Sequence, residues 1–372
     1  MLIGVPKEIV NNEYRVGLTP SSVRELIHRG HKVLVETKAG AGIGLDDADY
    51  KSAGATIARN AAKIFAVADL IVKVKEPQPD ECKMLRQQQI LYTYLHLASD
   101  PEQAEGLIKS GCSAIAYETV TNARGGLPLL APMSEVAGRM SVQIGAHYLE
   151  KAQGGAGILI GGVPGVKAAN VVVIGGGIAG THAVRIALGM EAIVTVIDKN
   201  PDRLRALDEL FGAGLNTIYS TVDSIENYVI NADLVIGAVL VPGATAPKLV
   251  TRKMIKRMRP GSVVIDIAID QGGCFETSRA TTHADPVYVV DGVTHYCVAN
   301  MPGSVARTST FALNNATLPF AVALANKGVR QACVDDSHLM NGLNIHAGQI
   351  TCQAVADSLK LKYTPARQAL VI

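Results

Sequence analysis

The chain of 372 residues has no tryptophan, no C-x-x-C pair, no surplus of either charge and no apolar run long enough to cross a bilayer. Lysine and arginine outnumber aspartate and glutamate only by 35 to 33, a net +2, and the charges are scattered. The basic stripe of a nucleic-acid binder is therefore missing, and no nucleic acid is expected as partner. The six cysteines, Cys82, Cys112, Cys274, Cys297, Cys333 and Cys352, stand singly. That pattern favours reduced thiols in a cytoplasmic setting over a disulfide framework. Nine histidines form neither an i, i+4 pair nor a Cys/His cluster with ligand spacing, so no metal is expected. Gly, Pro or a charge cuts every apolar stretch before about 18 residues, and the opening MLIGVPKEIV lacks the apolar core of a signal peptide. A soluble chain with no membrane partner is the expectation. Tandem repeats and low-complexity segments are missing as well.

What remains is 48% hydrophobic and 18% charged with 36 glycines, a composition suited to parallel sheets covered by helices on both faces. The length fits about two domains of ordinary size. Short β-like runs alternate with helical patterns: KVLVE (32–36), LIVKV (70–74), ILYTYL (90–95) and SAIAYE (113–118), then NVVVIG (170–175), IVTVID (193–198), DLVIGAVL (233–240), SVVIDIAI (262–269) and VYVV (287–290). Such alternation indicates βαβ units and an α/β fold. Between the two sets, residues 134–153 carry Val136, Met140, Ile144 and Tyr148 at helical spacing, with Ser134 as N-cap, and this helix would join two domains. Beyond about residue 305 the strand runs stop. Residues 308–328 predict a long helix kinked at Pro319, and 341–360 a further helix. A strandless C-terminal segment must dock on something, and it is expected to cross back and complete the first domain.

In NVVVIGGGIAG an apolar strand runs straight into Gly175-Gly176-Gly177-Ile178-Ala179-Gly180 and then a helix and a second strand ending at Asp198. Isolated GxGxxG spacings arise by chance among 36 glycines, and a ligand-free glycine turn is the plain alternative. Here the strand-turn-helix context gives each glycine a task. Gly175 permits the tight turn, Gly177 lets a pyrophosphate approach the backbone, Gly180 allows close packing, and the helix N-terminus offers free N–H groups and a positive dipole end. Asp198 lies 198 − 180 = 18 residues past the last glycine, near the spacing of about 20 expected of a carboxylate on the adenosine ribose. That carboxylate would repel a 2′-phosphate, so the expected cofactor is NAD. The glycine-rich stretch 154–166 precedes its strand and reads as a connecting loop.

Ligands of open α/β sheets bind outside the carboxyl ends of the strands. Lys75 follows LIVKV, His96 follows ILYTYL, and Arg15 falls after the first strand, just before a helix capped by Thr19 or Ser21. With NAD on one domain, these three would hold the substrate opposite it. Each has a plain reading too: a hydrogen-bonded core histidine, an exposed sheet-edge charge for Lys75 or Lys73, a surface ion pair for Arg15. Asp266 and Asp270 stand near a strand end in the cofactor half, where a carboxylate can equally be a solvated turn residue.

The chain resembles the L-alanine dehydrogenase family over its whole length, through IGVPKE, NEYRVGLTP, LIVKVKEP, YLHLA, LLAPMSEVAGRMSVQ, VVVIGGGIAG, ADLVIGAVLVPGATAPKLV, DIAIDQGGCFE and CVANMPGSVARTST. The resemblance implies two doubly wound domains, an NAD-binding Rossmann domain (129–305) inserted into a discontinuous substrate domain (1–128 and 306–372). It implies Arg15 and Lys75 as substrate-binding residues, His96 as acid/base and Asp270 as a second catalytic group. Cofactor contacts would come from Ser134, Ile178, Ala179, Asp198, Arg203, Ser220, Val239, Leu240, Ile267, Ala268, Ile269, Asp270, Arg279, Val298, Ala299, Asn300 and Met301. A cytoplasmic homohexamer acting on L-alanine, pyruvate and ammonium is implied as well.

Those residue types suit the reaction. A guanidinium binds a carboxylate through two parallel hydrogen bonds, an ammonium stabilises negative charge as it develops, and imidazole is the side chain that titrates near neutrality. Leu130 and Met133 are candidates for a tight pocket around the substrate methyl. Three other readings compete: the NAD(H)-binding subunit of proton-translocating transhydrogenase, which resembles the chain but lacks the histidine and aspartate found at His96 and Asp270; a dehydrogenase of a larger amino acid such as lysine or saccharopine; and a non-catalytic NAD sensor.

Overall fold

In the computed structural model, which describes residues 1–239 and 246–371, the strands form two mainly parallel sheets. The chain divides into one unit made of residues 1–133 and 305–372 and a second made of 134–304, against the expected divisions at 128/129 and 305/306.

Strands β1 (Leu2–Val5), β2 (Lys32–Glu36), β3 (Thr56–Ala58), β4 (Leu70–Val72), β5 (Ile90–Thr93) and β6 (Ser113–Ala116) run parallel in the order β3-β2-β1-β4-β5-β6. The order reverses between β1 and β4, so the segments leaving their carboxyl ends flank the crevice where such sheets take ligands. β4, β5 and β6 are buried along their whole length. Helices α1 (Pro20–His28) and α2 (Asp47–Ser52) bury Val23, Leu26 and Tyr50, while α3 (Ala61–Val67), α4 (Pro79–Met84) and α5 (Pro101–Ser110) pack with these strands around a core that includes Leu34, Phe65, Ile71, Leu91 and Leu107. Thr19 caps α1 by accepting the Ser22 N–H, with Pro20 preset at the first helical position.

Helix α6 (Ala131–Tyr148) starts three residues before the expected cap, so Ser134 lies inside the helix and is not its N-cap. Pro132 sits within the first turn, where its missing N–H gives up no bond, and Leu127 and Leu130 accept from Ala131 and Met133. The helix also ends at Tyr148 instead of running to 153; Lys151–Gln153 is a separate short turn.

In the second unit β7 (Asn170–Ile174), β8 (Ile193–Asp198), β9 (Leu215–Tyr219), β10 (Leu234–Gly237), β11 (Val263–Asp266), β12 (Val287–Val290) and β13 (Val293–Tyr296) lie in the order β9-β8-β7-β10-β11-β13-β12. Only β12 runs antiparallel among them. The order reverses between β7 and β10, and the helices are α7 (Ile178–Gly189), α8 (Pro201–Phe211), α9 (Val222–Ile230) and α10 (Arg252–Arg257).

The last segment returns to the first unit. Helix α11 (Ala306–Asp335) keeps Pro319 within it and breaks at Gly328, whose φ of 71° and ψ of 168° suit glycine alone. Pro319 and Asn315 are exposed, so the carbonyl that the proline leaves without a donor faces water. Asn314 accepts the Thr19 N–H at 2.8 Å, and Thr310 the Val16 N–H at 3.3 Å, which ties α11 to the segment carrying Arg15. Strands do not stop at 305. After α12 (Ser337–Met340), β14 (Leu343–His346) and β15 (Gln349–Ile350) form a hairpin added antiparallel to β6, in place of the helix expected over this stretch. Ala347 and Gly348, both at positive φ, make its two-residue turn, and Ile345 and Ile350 reach the core. Helices α13 (Gln353–Leu359) and α14 (Ala366–Ala369) complete the unit. No helix among the described residues is long and apolar enough to cross a membrane.

Candidate active site

The first-unit candidates stand at successive carboxyl ends of the sheet: Arg15 after β1, Lys75 after β4, His96 after β5. The Arg15 segment crosses β4 closely, since a Cβ on Gly17 would come 2.4 Å from the Val72 carbonyl oxygen. Arg15 is not a surface pair. Its side chain is 2% exposed and forms a two-point bridge to Glu13, Nε to Oε1 at 2.8 Å and Nη2 to Oε2 at 2.6 Å. Its Nη1 meets Met133 Sδ at 3.1 Å, which joins one candidate for the methyl pocket to the guanidinium. Burial works against the charge, but the Glu13 carboxylate outweighs it and holds the guanidinium's proton affinity above its ordinary value.

Lys73 and Lys75, for either of which an exposed sheet-edge charge is the plain alternative, differ completely. Lys73 is buried, its Nζ 3.0 Å from Glu8 Oε2 and 2.8 Å from Glu81 Oε1. Burial opposes its charge, but the two carboxylates raise its affinity for the proton; burial likewise pushes the Glu8 carboxyl up. Lys75 is half-buried, with Nζ 3.1 Å from Glu76 Oε2, and its carbonyl accepts the Thr93 hydroxyl at 2.9 Å.

β5 ends at Thr93, so His96 stands beyond the strand proper, at φ 51° and ψ 33°, as the residue preceding a short helical turn. Non-glycine residues pay for that left-handed conformation. Glu118, just past β6, supplies the compensation: its carboxylate accepts the His96 N–H at 2.6 Å and the Leu95 N–H at 3.2 Å. The same Oε1 lies 4.0 Å from Nδ1, and the ring, half exposed, stacks on Tyr94 at 5.8 Å with 3° between planes. Tyr94 is fixed by its hydroxyl to the Leu129 carbonyl at 2.6 Å. This imidazole is therefore positioned by its backbone, with one face towards Tyr94 and half of the side chain exposed.

In the second unit the glycine loop leaves β7 at the reversal point. Gly175 has φ 97°, and a Cβ there would meet the Ala238 carbonyl oxygen at 2.7 Å; a Cβ on Gly180 would lie 1.8 Å from the Gly175 oxygen. Both glycines are demanded by the fold. Gly177 is not demanded by any described residue, because none of them lies within 4 Å of the place its Cβ would occupy. It opens α7, whose first N–H groups have no carbonyl partner along the helix. A glycine needless for packing, at a helix start, suits an anion that must touch backbone, and Ile178 and Ala179 follow it.

Asp198 ends β8 with Oδ2 accepting the Gly176 N–H at 2.7 Å and Oδ1 the Asn200 N–H at 2.8 Å. Arg203 reaches the same loop, Nε to the Gly176 carbonyl at 2.6 Å and Nη2 to the Thr181 hydroxyl. Ser220 follows β9 and donates its N–H to the Asp198 carbonyl at 3.0 Å. Ser134 shares a helix face with Gly138, where a Cβ would come 2.1 Å from the Ala179 oxygen, so α6 lies against the start of α7. Val239 follows β10; Leu240 lies outside the described residues.

Asp266, left open as a turn residue, is a buried organiser. It accepts from the backbone N–H groups of Ala268 and Cys274 and from the Ser278 hydroxyl at 2.5 Å, and burial raises its carboxyl's proton affinity. These bonds shape the turn Ile267–Gln271, in which Ile267 is half-buried, Ala268 and Ile269 are buried and Asp270 is exposed. Arg279 covers the Tyr288 ring with its guanidinium 4.1 Å from the centroid. Val298, Ala299, Asn300 and Met301 follow β13, with Asn300 at φ 58° and Val298 and Met301 buried. Every described cofactor candidate from Gly175 to Ala268 thus falls at or just beyond a strand's carboxyl end, or on the helix that follows.

The sequence reading missed Glu8, Glu13, Glu81 and Glu118, each the carboxylate behind a candidate cation or its neighbour. Except for Glu13, two residues from Arg15, acceptor and donor stand apart in sequence, by as many as 67 residues for Glu8 and Lys75, so spacing carries no sign of the pairing. No group of three or more His, Cys, Asp or Glu side chains able to hold a metal occurs among the described residues.

Residues 4–137 match the family model "Alanine dehydrogenase/PNT, N-terminal domain" and residues 141–353 the corresponding C-terminal domain. An alanine dehydrogenase of Halomonas elongata is 60% identical over 98% of this chain and 99% of its own length. One from Mycolicibacterium smegmatis is 54% identical over the whole of both chains. A solved L-alanine dehydrogenase superposes with a TM-score of 0.94 at 51% identity, covering 97% of this chain and 99% of that one. A transhydrogenase from Sinorhizobium meliloti superposes at 0.82 with 26% identity, covering 95% and 100%. The chain belongs to the alanine dehydrogenase/PNT family.

Proposed function

We propose that this chain is an NAD-dependent amino-acid dehydrogenase that catalyses the reversible oxidative deamination of L-alanine to pyruvate and ammonium. The observation that carries the reading is the run of Arg15, Lys75 and His96 at adjacent strand ends, in a chain 60% identical to an alanine dehydrogenase. When bound, the nicotinamide supplies the hydride acceptor. Gly175, Gly177 and Gly180 with the α7 N-terminus would receive its pyrophosphate and Asp198 its ribose. A carboxylate at Asp198 favours NAD over a cofactor with a 2′-phosphate.

The chain's own groups handle the substrate. Arg15, held by Glu13, is the guanidinium that binds the substrate carboxylate in this reading, and Lys75 adds charge where negative oxygen develops. His96 takes a proton from amine or water at its accessible ring and returns it in the reverse direction. Glu118, with Oε1 4.0 Å from Nδ1, stands beside the ring and holds the backbone that presents it. Asp270 is the second catalytic group in this reading, orienting water or passing protons. The Met133 thioether against Arg15 keeps the space beside the carboxylate site small, which suits a methyl side chain.

A cytoplasmic homohexamer is part of the proposal by family likeness, and sedimentation would test the assembly. The activity test follows NADH absorbance with pyruvate plus ammonium, against NADPH and against larger 2-oxo acids. Turnover with NADH and pyruvate is expected; turnover only with a bulkier acid, or with none, would contradict the reading.

A further inference from the structure

The Glu8 side chain is 1% exposed and spans the reversal point of the first sheet. It enters from the β1 side and meets the segment leaving β4 on the other. β4 ends at Val72, so the N–H groups of Val74 and Lys75 have left the ladder. Glu8 Oε1 accepts both, at 2.6 Å from Val74 and 3.3 Å from Lys75, while Oε2 takes the Lys73 ammonium at 3.0 Å. Glu81, equally buried and on the same ammonium, instead spends its second oxygen on the Gln78 N–H at 2.9 Å, within its own helix start. Two carboxylates thus share one buried cation, but only one of them touches the turn that carries Lys75. Buried charge is costly unless fully paired, and a hydrophobic side chain in place of Lys73 would serve packing as well.

We propose that Glu8 is a positioning residue for substrate binding: the Lys73 ammonium holds its carboxyl group in place, and that group fixes the backbone from which Lys75 reaches the substrate anion. The inference rests on the reading of Lys75 as a substrate-binding residue. A loose turn would leave the ammonium present but misplaced, and misplacements near 1 Å are enough to cost a large factor in rate or affinity.

The test compares Glu8→Gln, Glu81→Gln and Lys75→Met in the full chain, reading pyruvate KM, NADH Kd by fluorescence, and Tm. Glu8→Gln and Glu81→Gln each unsettle Lys73, so both should lower Tm. Glu8→Gln should raise pyruvate KM about tenfold with NADH Kd unchanged, and Glu81→Gln should leave pyruvate KM within about twofold of wild type. Equal KM effects of the two variants, or none from Glu8→Gln, would overturn the proposal. If Glu8→Gln does not fold, Glu8→Asp keeps the charge on Lys73 but ends one methylene short of the turn, and the same rise in KM is expected; an unchanged KM there overturns it too. Lys75→Met separates the two levels. Unchanged pyruvate KM in that variant defeats the reading of Lys75 itself, whereas a raised KM there with none in Glu8→Gln defeats only the positioning role.

Discussion

In the first unit the groups suited to an anion are side chains, and each is already engaged: Arg15 by Glu13, Lys73 by Glu8 and Glu81, Lys75 by Glu76, and His96 by Glu118. In the second they are backbone N–H groups at a helix start, presented by a glycine that no described residue crowds. Both sets stand at the carboxyl ends of parallel strands on sheets of the same winding. The contrast follows from what each side has to recognise. A pyrophosphate needs several fixed donors and no proton exchange, which backbone supplies without burying a charge. A substrate whose protons move needs titratable groups, and buried titratable groups need counter-charges to hold their position and ionisation. The first unit should therefore be sensitive to removal of a charge, and the second to added volume.

Arg15→Ala would break this picture most severely, because it takes the bound cation away from the buried Glu13 carboxylate. A loss of about 3–5 kcal/mol in denaturant unfolding is expected. Adding Glu13→Gln should recover much of that stability without recovering activity. In the second unit the sharpening pair is Gly180→Ala against Gly177→Ala. The first forces a Cβ to 1.8 Å from the Gly175 oxygen and should cost at least about 1–3 kcal/mol. The second meets no neighbour among the described residues, so Tm should stay at the wild-type value while NADH Kd rises. Equal Tm losses in the two would remove the argument that Gly177 is kept for a ligand.

A smaller effect distinguishes the units by pH. Burial holds the proton affinities of His295 and His182 in the second unit, and of His346 in the first, below the ordinary value of 6.5. A histidine depressed on folding gives its full contribution above the unfolded value and loses it as pH falls through the folded one. Tm should thus decline on acidification below 6.5. His295→Gln, at a ring that accepts from Thr277 and donates to the Val293 carbonyl, should flatten the part of that decline belonging to the second unit. An unchanged slope would show that His295 carries none of it.

The sequence made some of this legible and hid the rest for identifiable reasons. The glycine loop could be read because glycine has backbone meaning: Gly175 and Gly180 stand where a Cβ cannot go. Thr19 was readable as a cap because its partner is three residues away. The glutamates behind the cations were not, since Glu8 and Lys73, or Glu118 and His96, meet only when strands assemble. Pro319 misled because exposure lets water satisfy the carbonyl it frees, and the break fell at Gly328, where the backbone requires glycine. The hairpin at 343–350 was taken for helix because its short apolar runs fit either period, and Ala347 hid a turn that Asn or Gly would have announced. Ser134 was a plausible cap overtaken by a proline-primed start three residues earlier.

The central claim is that substrate chemistry belongs to the charged strand ends of the first unit and cofactor binding to the glycine loop of the second. It is tested most directly by titrating NADH into His96→Ala and following NADH oxidation by the same variant with pyruvate and ammonium. The account predicts a wild-type Kd together with turnover reduced by about 10²–10⁴. Wild-type turnover, or loss of NADH binding in step with turnover, would contradict it.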